Sequence, residues 1–379
     1  MNVAFVSNSV PKGIISHQSC HPGLSSYGNH PLYLFFFRKL AFLGVVVEAL
    51  KKGKGVSRLF CFVEVWCLDV VCFGEIIADF VPVEEGVFKV CFGGAPMNTA
   101  IACSRLGLDV AAIAAVGRDP FGEFLLETLK ANRVNAERVR VTGYRTTLAF
   151  VSSLKGENTF FFYRRPWVVS ADTEIKLDEG DLALASSAAV FHFTGLPLSY
   201  SPLRGDALKM AEELRRRGVT ISFDPTYRPD SWEGEDEARK AMLEAVSRSD
   251  VVLATIREYR LLFGEIGLEE IVKECAKMKV GLVGVKMGAH GSALGDRSSL
   301  WAMEAYPVEV IDTVGAGDAW NAGVIYGLVK RLPLNETIKI ANATAALKCT
   351  SRGAVDGLPT LNQVKSFLER QRLEPRKIM

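Results

Sequence analysis

The stretch DTVGAGDAW, Asp312 to Trp320, sets two glycines around an alanine and an aspartate directly behind them. A strand-like segment precedes it and an apolar, helix-like run follows. Gly315, Ala316 and Gly317 would then open a helix, where free main-chain N–H groups and the positive dipole end favour an anion. A carboxylate in the same turn is costly unless it has a task. The task that fits Asp318 is to accept a proton from a hydroxyl attacking the bound anion. One base and one anion cradle, in line, are what phosphoryl transfer needs. The same letters also suit a plain N-capping aspartate beside helix-starting glycines.

A second stretch, FGGAPMNTA, carries Gly93 and Gly94, which permit close backbone approach to a ligand, and Asn98 one helical turn further in. Neither G-x-x-x-x-G-K-[ST] nor G-x-G-x-x-G occurs in a strand-to-helix setting, so P-loop and dinucleotide readings have nothing to stand on.

The elements that must hold these stretches alternate from Asp69 onward. Val70 to Phe73 reads as a buried strand, PMNTAIACSRLG as a helix that Gly107 stops, DVAAIAAVG as a strand, and DPFGEFLLETLKANRV as a helix with Phe121, Leu125 and Leu129 on one side. TTLAFVSSLKGENTFFFYRR differs: two β-rich runs flank Lys155-Gly156-Glu157-Asn158, a hairpin signal. With VPVEEGVFKVCFGG it predicts a few strands outside the main sheet, at about 80–92 and 146–165, forming a lid or a dimer patch. Regular alternation then resumes, through VTISFDP, DVVLAT and VGLVGVKMG, to PVEVIDTVGAGD, read as strand into turn. This order predicts a mostly parallel sheet with helices on both faces, binding ligands beyond the C-terminal strand ends. Asp79, Asp224, Lys286 and Asp318 all fall there.

Bulk composition narrows the classes. The chain has 379 residues, 49% hydrophobic and 23% charged, which suits a soluble globular protein. Lys plus Arg number 45 against 43 Asp plus Glu, a net charge of +2, so there is no basic field for nucleic acid. The 8 cysteines are scattered singly without zinc spacing and read as reduced core residues of a cytoplasmic protein. Residues 1–68 lack this order. PLYLFFFRKLAFLGVVVEAL is broken by Arg38 and Lys39 and fits neither a membrane helix nor a signal peptide. The leader is read as an irregular extension or a misplaced start, with the working protein beginning near Leu68, and a membrane partner is not expected.

FGGAPMNTAIACSRLG followed far downstream by DTVGAGDAWNAGVIYGL resembles the paired signatures of the ribokinase/PfkB family of sugar and nucleoside kinases. The resemblance covers roughly Asp69 to Phe367, and the kinase domain is read as residues 69–370. It implies a three-layer α/β sandwich with a small β lid, and transfer of phosphate from ATP, with magnesium, to a hydroxymethyl group. It implies Asp318 as catalytic base and the amides of Gly315, Ala316 and Gly317 as anion hole. Asp79, Gly93, Gly94 and Asn98 are implied as sugar contacts. Lys286, Gly288 and Gly291 in VKMGAHGS, and Asn342 in IANATAAL, are implied beside the nucleotide. Arg352 to Asp356 resembles a segment that closes a monovalent-cation loop through backbone carbonyls. Lid strands of the family often pair between subunits, which implies a homodimer.

Two departures stand out. Where the family often carries Asn-x-x-Glu, this chain has Thr255-Ile256-Arg257-Glu258, leaving Glu258 to organise magnesium through water. Where many relatives have Asn, it has Thr226, with Arg228 kept nearby to reach a phosphate or sugar oxygen. Among substrates, FFFYRRP leading to SAD resembles fructokinases, with Arg164 or Arg165 reaching a sugar oxygen, although Trp167 to Val169 are inserted relative to that pattern. A 2-keto-3-deoxygluconate kinase or a 5-dehydro-2-deoxygluconokinase is the alternative enzyme. A non-catalytic sugar- or nucleotide-binding regulator is the alternative from another class, and the intact Asp318 argues against it. His192 and His290 are read as structural or surface residues.

Overall fold

The computed structural model describes residues 68–154 and 157–379. The leader expectation, and the Lys155-Gly156 half of the hairpin turn, lie outside the described residues.

Strands β1 (Val70–Phe73), β4 (Val110–Gly117), β5 (Asn135–Thr142), β8 (Val190–Thr194), β9 (Thr220–Asp224), β10 (Val251–Thr255), β11 (Leu282–Lys286), β12 (Ser292–Gly295), β13 (Leu300–Met303) and β14 (Arg376–Lys377) form one ten-stranded sheet. Its order is β14-β13-β12-β11-β10-β9-β8-β1-β4-β5. Pairing is parallel from β5 to β11 and antiparallel from β11 to β14. A second sheet, ordered β3-β2-β6-β7, is built from β2 (Ile77–Glu84), β3 (Val87–Gly93), β6 (Thr147–Leu154) and β7 (Glu157–Tyr163).

Ten helices accompany the strands among the described residues: α1 (Ala95–Arg105), α2 (Pro120–Ala131), α3 (Glu179–Ser186), α4 (Ser201–Arg216), α5 (Glu235–Ser247), α6 (Ile256–Phe263), α7 (Leu268–Lys277), α8 (Ala316–Lys330), α9 (Leu334–Lys348) and α10 (Leu361–Leu368). Two apolar layers explain their arrangement. Along β1, Val71 and Phe73 join a core with Leu203, Ala207, Met242, Tyr259 and Ile271 of α4 to α7. Val70 and Cys72 join the opposite core, with Met97, Ile101, Trp320, Ile325 and Ile338 of α1, α8 and α9. Alternate strand residues thus feed opposite faces, and burial on both explains why the strand reads as a continuous apolar run. The second sheet has its own aromatic face, where Phe80 stacks on Phe150 with centroids 4.7 Å apart and Phe88 meets Phe150 edge-on.

The segment read as a strand before the glycine turn, Pro307 to Ile311, forms no strand. The sheet edge beyond β13 is taken by β14 instead. No helix among the described residues is long and apolar enough to cross a membrane.

Helices α8 and α9 lie directly against each other because Gly323 has no side chain. A Cβ there would fall 2.4 Å from Ala341 Cα. Gly323→Ala should therefore destabilise the protein by roughly 1–3 kcal/mol through overpacking, despite the better helix propensity of alanine. Urea unfolding measures this, and an unchanged midpoint would mean that the helices separate freely.

Candidate active site

The first residue of the site follows from the start of α8. Gly315 caps the helix in the left-handed region, φ 80°, and a side chain there would strike Ala354. Helix geometry leaves the first-turn N–H groups without intrahelical acceptors. One of the three expected anion-hole amides is already committed, since the Ala316 N–H donates to Thr313 O at 3.1 Å. The open direction belongs to Gly317 and Asp318. Gly317 also has Lys286 above it: a Cβ on Gly317 would sit 3.6 Å from Lys286 Nζ.

Asp318 is partly exposed and accepts from Asn98 Nδ2 at 2.8 Å. Loss of water around the carboxyl is the main reason its pKa rises to about 6; Asn98 lowers it, Asp224 raises it, and Lys286 and Arg228 lower it. Asn98 reaches Asp318 because α1 begins at Gly94, φ 101°, where a side chain would collide with Glu75 O at 2.4 Å. The amide oxygen of Asn98, Oδ1, is buried and has no partner among the described residues. A buried acceptor left open in a cleft suits a hydroxyl donor.

Asp79 extends over Gly93, so close that a Cβ on Gly93 would lie 2.2 Å from its Oδ2. Asp79 is only 6% exposed. Burial is the main cause that lifts its pKa to about 7, with Arg228 pulling down and Asp318 pushing up. Arg228 sits across the Phe160 ring at 5.2 Å and is the cation that bears on both carboxylates. Asp79, Gly93, Gly94, Asn98, Arg228 and Asp318 therefore converge on one cleft between the two sheets.

A brace lies behind this cleft. Lys286, at the end of β11, donates to Asp224 Oδ2 at 2.6 Å and to Asn321 Oδ1 at 3.2 Å, and Asn321 Nδ2 donates to the same Asp224 oxygen at 2.6 Å. Asp224 was visible in the sequence as an acid at a strand end. Asn321, one turn after Asp318 on α8, gave no signal of its own. Gly288 and Gly291, with φ of 60° and 87°, shape the turn between β11 and β12, and a side chain on Gly291 would meet Met303 O at 2.0 Å. His192 is buried in β8 beside Ser222 Oγ at 3.0 Å, and desolvation drives its pKa down to about 4.

Four expected contacts are placed differently. Arg164 is 0% exposed and bonded to Asp172, Ser199 Oγ and Leu196 O. Arg164, expected to reach a sugar oxygen, directs its recorded hydrogen bonds to an internal ion pair and its neighbours. Arg165 pairs with Glu174 at 2.9 Å and lies over the Tyr200 ring at 4.4 Å. Asn342 is buried and holds Ser292 Oγ, Trp320 Nε1 and Glu304 O; it fixes the Trp320 indole in the core. Glu258 closes a capping box with Thr255, whose N–H and hydroxyl donate to Glu258 Oε2 while Tyr227 N–H donates to Oε1. Threonine thus meets the capping demand at the position where an Asn was expected. Both Glu258 oxygens are engaged, and the described residues contain no cluster of three or more His, Cys, Asp or Glu able to hold a metal.

The geometry, a helix head with a carboxylate in its first turn and a polar cluster beside the small sheet, is of the kind that a phosphotransferase acting on an alcohol needs. The comparisons agree. The model of the pfkB family of carbohydrate kinases matches residues 68–361. Probable fructokinase-4 of Arabidopsis thaliana is 35% identical over 317 residues, covering 79% of this chain and 96% of that protein. Fructokinase-1 of Zea mays is 36% identical over 318 residues, covering 79% and 98%. A fructokinase from Vibrio cholerae O395, solved with fructose, ADP and calcium, superposes with a TM-score of 0.72 at 29% identity, covering 80% of this chain and 99% of that one. The chain belongs to the pfkB family of carbohydrate kinases and is an ATP-dependent, fructokinase-like sugar kinase.

The Arg164–Asp172 pair carries a stability prediction. Arg164→Leu leaves a buried carboxylate uncompensated and should cost roughly 3–5 kcal/mol in urea unfolding. A loss under 1 kcal/mol would show that water reaches Asp172.

Proposed function

We propose that this protein phosphorylates fructose at a hydroxymethyl group, with magnesium-ATP as donor and Asp318 as general base. The observation that carries the reading is the Asn98–Asp318 contact at the head of α8, with Asn98 Oδ1 open to the same cleft. Two plant fructokinases at about 35% identity support the substrate, as does the Vibrio cholerae structure, whose ligands are fructose and ADP. 2-Keto-3-deoxygluconate and 5-dehydro-2-deoxygluconate remain the alternative acceptors.

Asp79 and Asn98 hold sugar hydroxyls, and Arg228 supplies the cation facing the sugar. Ionised Asp318 accepts the proton of the attacking hydroxyl. The first-turn amides of α8 and Lys286 face the transferring group and stabilise charge that develops there. Lys286, Gly288 and Gly291 line the nucleotide side, and Asn342 acts there through Trp320. The second sheet covers the sugar and excludes water, which limits wasteful hydrolysis. Magnesium, when bound, would neutralise phosphate charge; Glu258, with both oxygens engaged, would reach it through water, and the described residues contain no cluster of three or more His, Cys, Asp or Glu to hold it directly. We place the protein in the cytoplasm, consistent with the unpaired state of the five cysteines at 72, 91, 103, 275 and 349. A homodimer through the second sheet fits its exposed Val87, Phe88, Phe161 and Tyr163.

ADP release should be measured with magnesium-ATP and a panel of fructose, 2-keto-3-deoxygluconate, 5-dehydro-2-deoxygluconate, ribose, adenosine and fructose 6-phosphate. Fructose is expected to turn over best. Asp318→Asn should lower kcat by ~100-fold or more with ATP binding retained. Near-native turnover in that variant removes Asp318 from the chemistry.

The pH profile tests the same base. Asp318 must be ionised to accept a proton, so activity is lost as pH falls through its pKa of about 6. Asp318 also pushes up the neighbouring Asp79, which burial lifts to about 7. kcat/KM should be flat above about pH 7.5 and fall at least about tenfold per unit below about pH 6. A profile flat down to pH 5 would contradict the assignment.

A further inference from the structure

Lys348 ends α9 and is 0% exposed, among the largest fully buried side chains of the described residues. Its Nζ donates to Asp312 O at 2.9 Å and Ser351 O at 3.4 Å, with no ion pair recorded for it among the described residues. Burying an ammonium against main-chain carbonyls alone is expensive. Carbonyl oxygens converging from two loops are the chemistry that holds a potassium-sized monovalent ion.

The two loops concerned are joined tightly. Ile311 and Asp312 N–H donate to Cys349 O at 2.8 and 3.1 Å. Gly353 N–H donates to Asp312 Oδ2 at 2.8 Å and Val314 N–H to Asp312 Oδ1 at 2.9 Å. Gly315 packs on Ala354, where a Cβ would come within 2.7 Å of Ala354 O. The ammonium therefore sits behind the turn that opens α8. Burial lowers the Lys348 pKa, and the carboxylate of Asp312, the largest opposing influence, supports the charged form.

We propose that Lys348 is a tethered monovalent cation: its ammonium ties the 311–315 and 349–354 loops through Asp312 O and Ser351 O, and so positions the Gly315–Asp318 turn without an exchangeable potassium ion. This rests on the reading that the turn faces the transferred phosphate. It replaces the expectation that the Arg352–Asp356 segment closes around a free ion. Lys348 is a positioning residue, since it touches the turn from behind and reaches neither sugar nor nucleotide.

The test compares sodium and potassium chloride at equal ionic strength, for native protein and Lys348→Met. Native turnover and Tm should be the same in both salts within twofold and one degree or so. Lys348→Met should lose about tenfold or more in kcat in sodium, and potassium or ammonium should restore most of it and raise its Tm by several degrees. Lys348→Ala, purified in potassium, is the second variant if the methionine form fails to fold. Potassium activation or stabilisation of the native protein overturns the proposal. So does a folded variant that no cation rescues in either readout. If both variants fail to fold, the native salt comparison decides. The Tm arm needs no sugar, so a protein inactive on every acceptor would count against the kinase substrate while this arm still decided the role of Lys348.

Discussion

The bond between Asn98 Nδ2 and Asp318 Oδ2 joins the heads of two helices from opposite ends of the chain, and the cleft is organised around it. A carboxylate there must stay ionisable without being neutralised. A direct arginine pair would push its pKa far down and weaken it as a base. A single amide donor steadies one oxygen and leaves the group to feel desolvation, which lifts it toward neutrality. Arg228 and Lys286 bear on it from further away and keep the rise moderate.

The buried brace of Lys286, Asp224 and Asn321 serves the same end. Asp224 takes two donors on one oxygen, and although burial pushes its pKa up, Lys286 and Asn321 hold it below the usual carboxylate range, so it stays ionised. Lys286 is thereby fixed above Gly317 instead of folding down onto Asp318. Three separate elements, β9, β11 and α8, meet at this point. The parallel sheet brings them together because it sets the C-terminal ends of its strands on one side.

Much of this was legible in the sequence, for physical reasons. Glycines at 94 and 315 announce positions where any side chain would strike backbone, and such positions lie where chain approaches chain or ligand. The alternation of apolar strands and amphipathic helices carries the layer order. What was hidden is pairing across distance. Nothing in the letters says that β9 and β11 flank β10, so Asp224 and Lys286 could be seen at strand ends but not as partners. Arg164 misled because arginine beside an aromatic run looks like a ligand contact, while its partner Asp172 stood eight residues on in the same quoted segment. Pro307 to Ile311 has strand-like letters, but pairing depends on a free neighbouring edge, and the last residues of the chain occupy it.

The contact of Gly323 with Ala341 has a mechanical consequence. With no side chain at Gly323, the backbones of α8 and α9 pack directly on one another, and a shift of one helix against the other would have to break that packing. The Asp318 carboxylate at one end of α8 and the ammonium at the end of α9 therefore sit on two helices packed as a pair. Any opening and closing of the cleft has to be borne elsewhere, by the short connections at 74–77, 93–95, 143–147 and 163–171 that link the small sheet to the large one. Asp318 and its turn stand on the helix pair, and the aromatic sheet is joined to the large sheet along the chain through those connections alone.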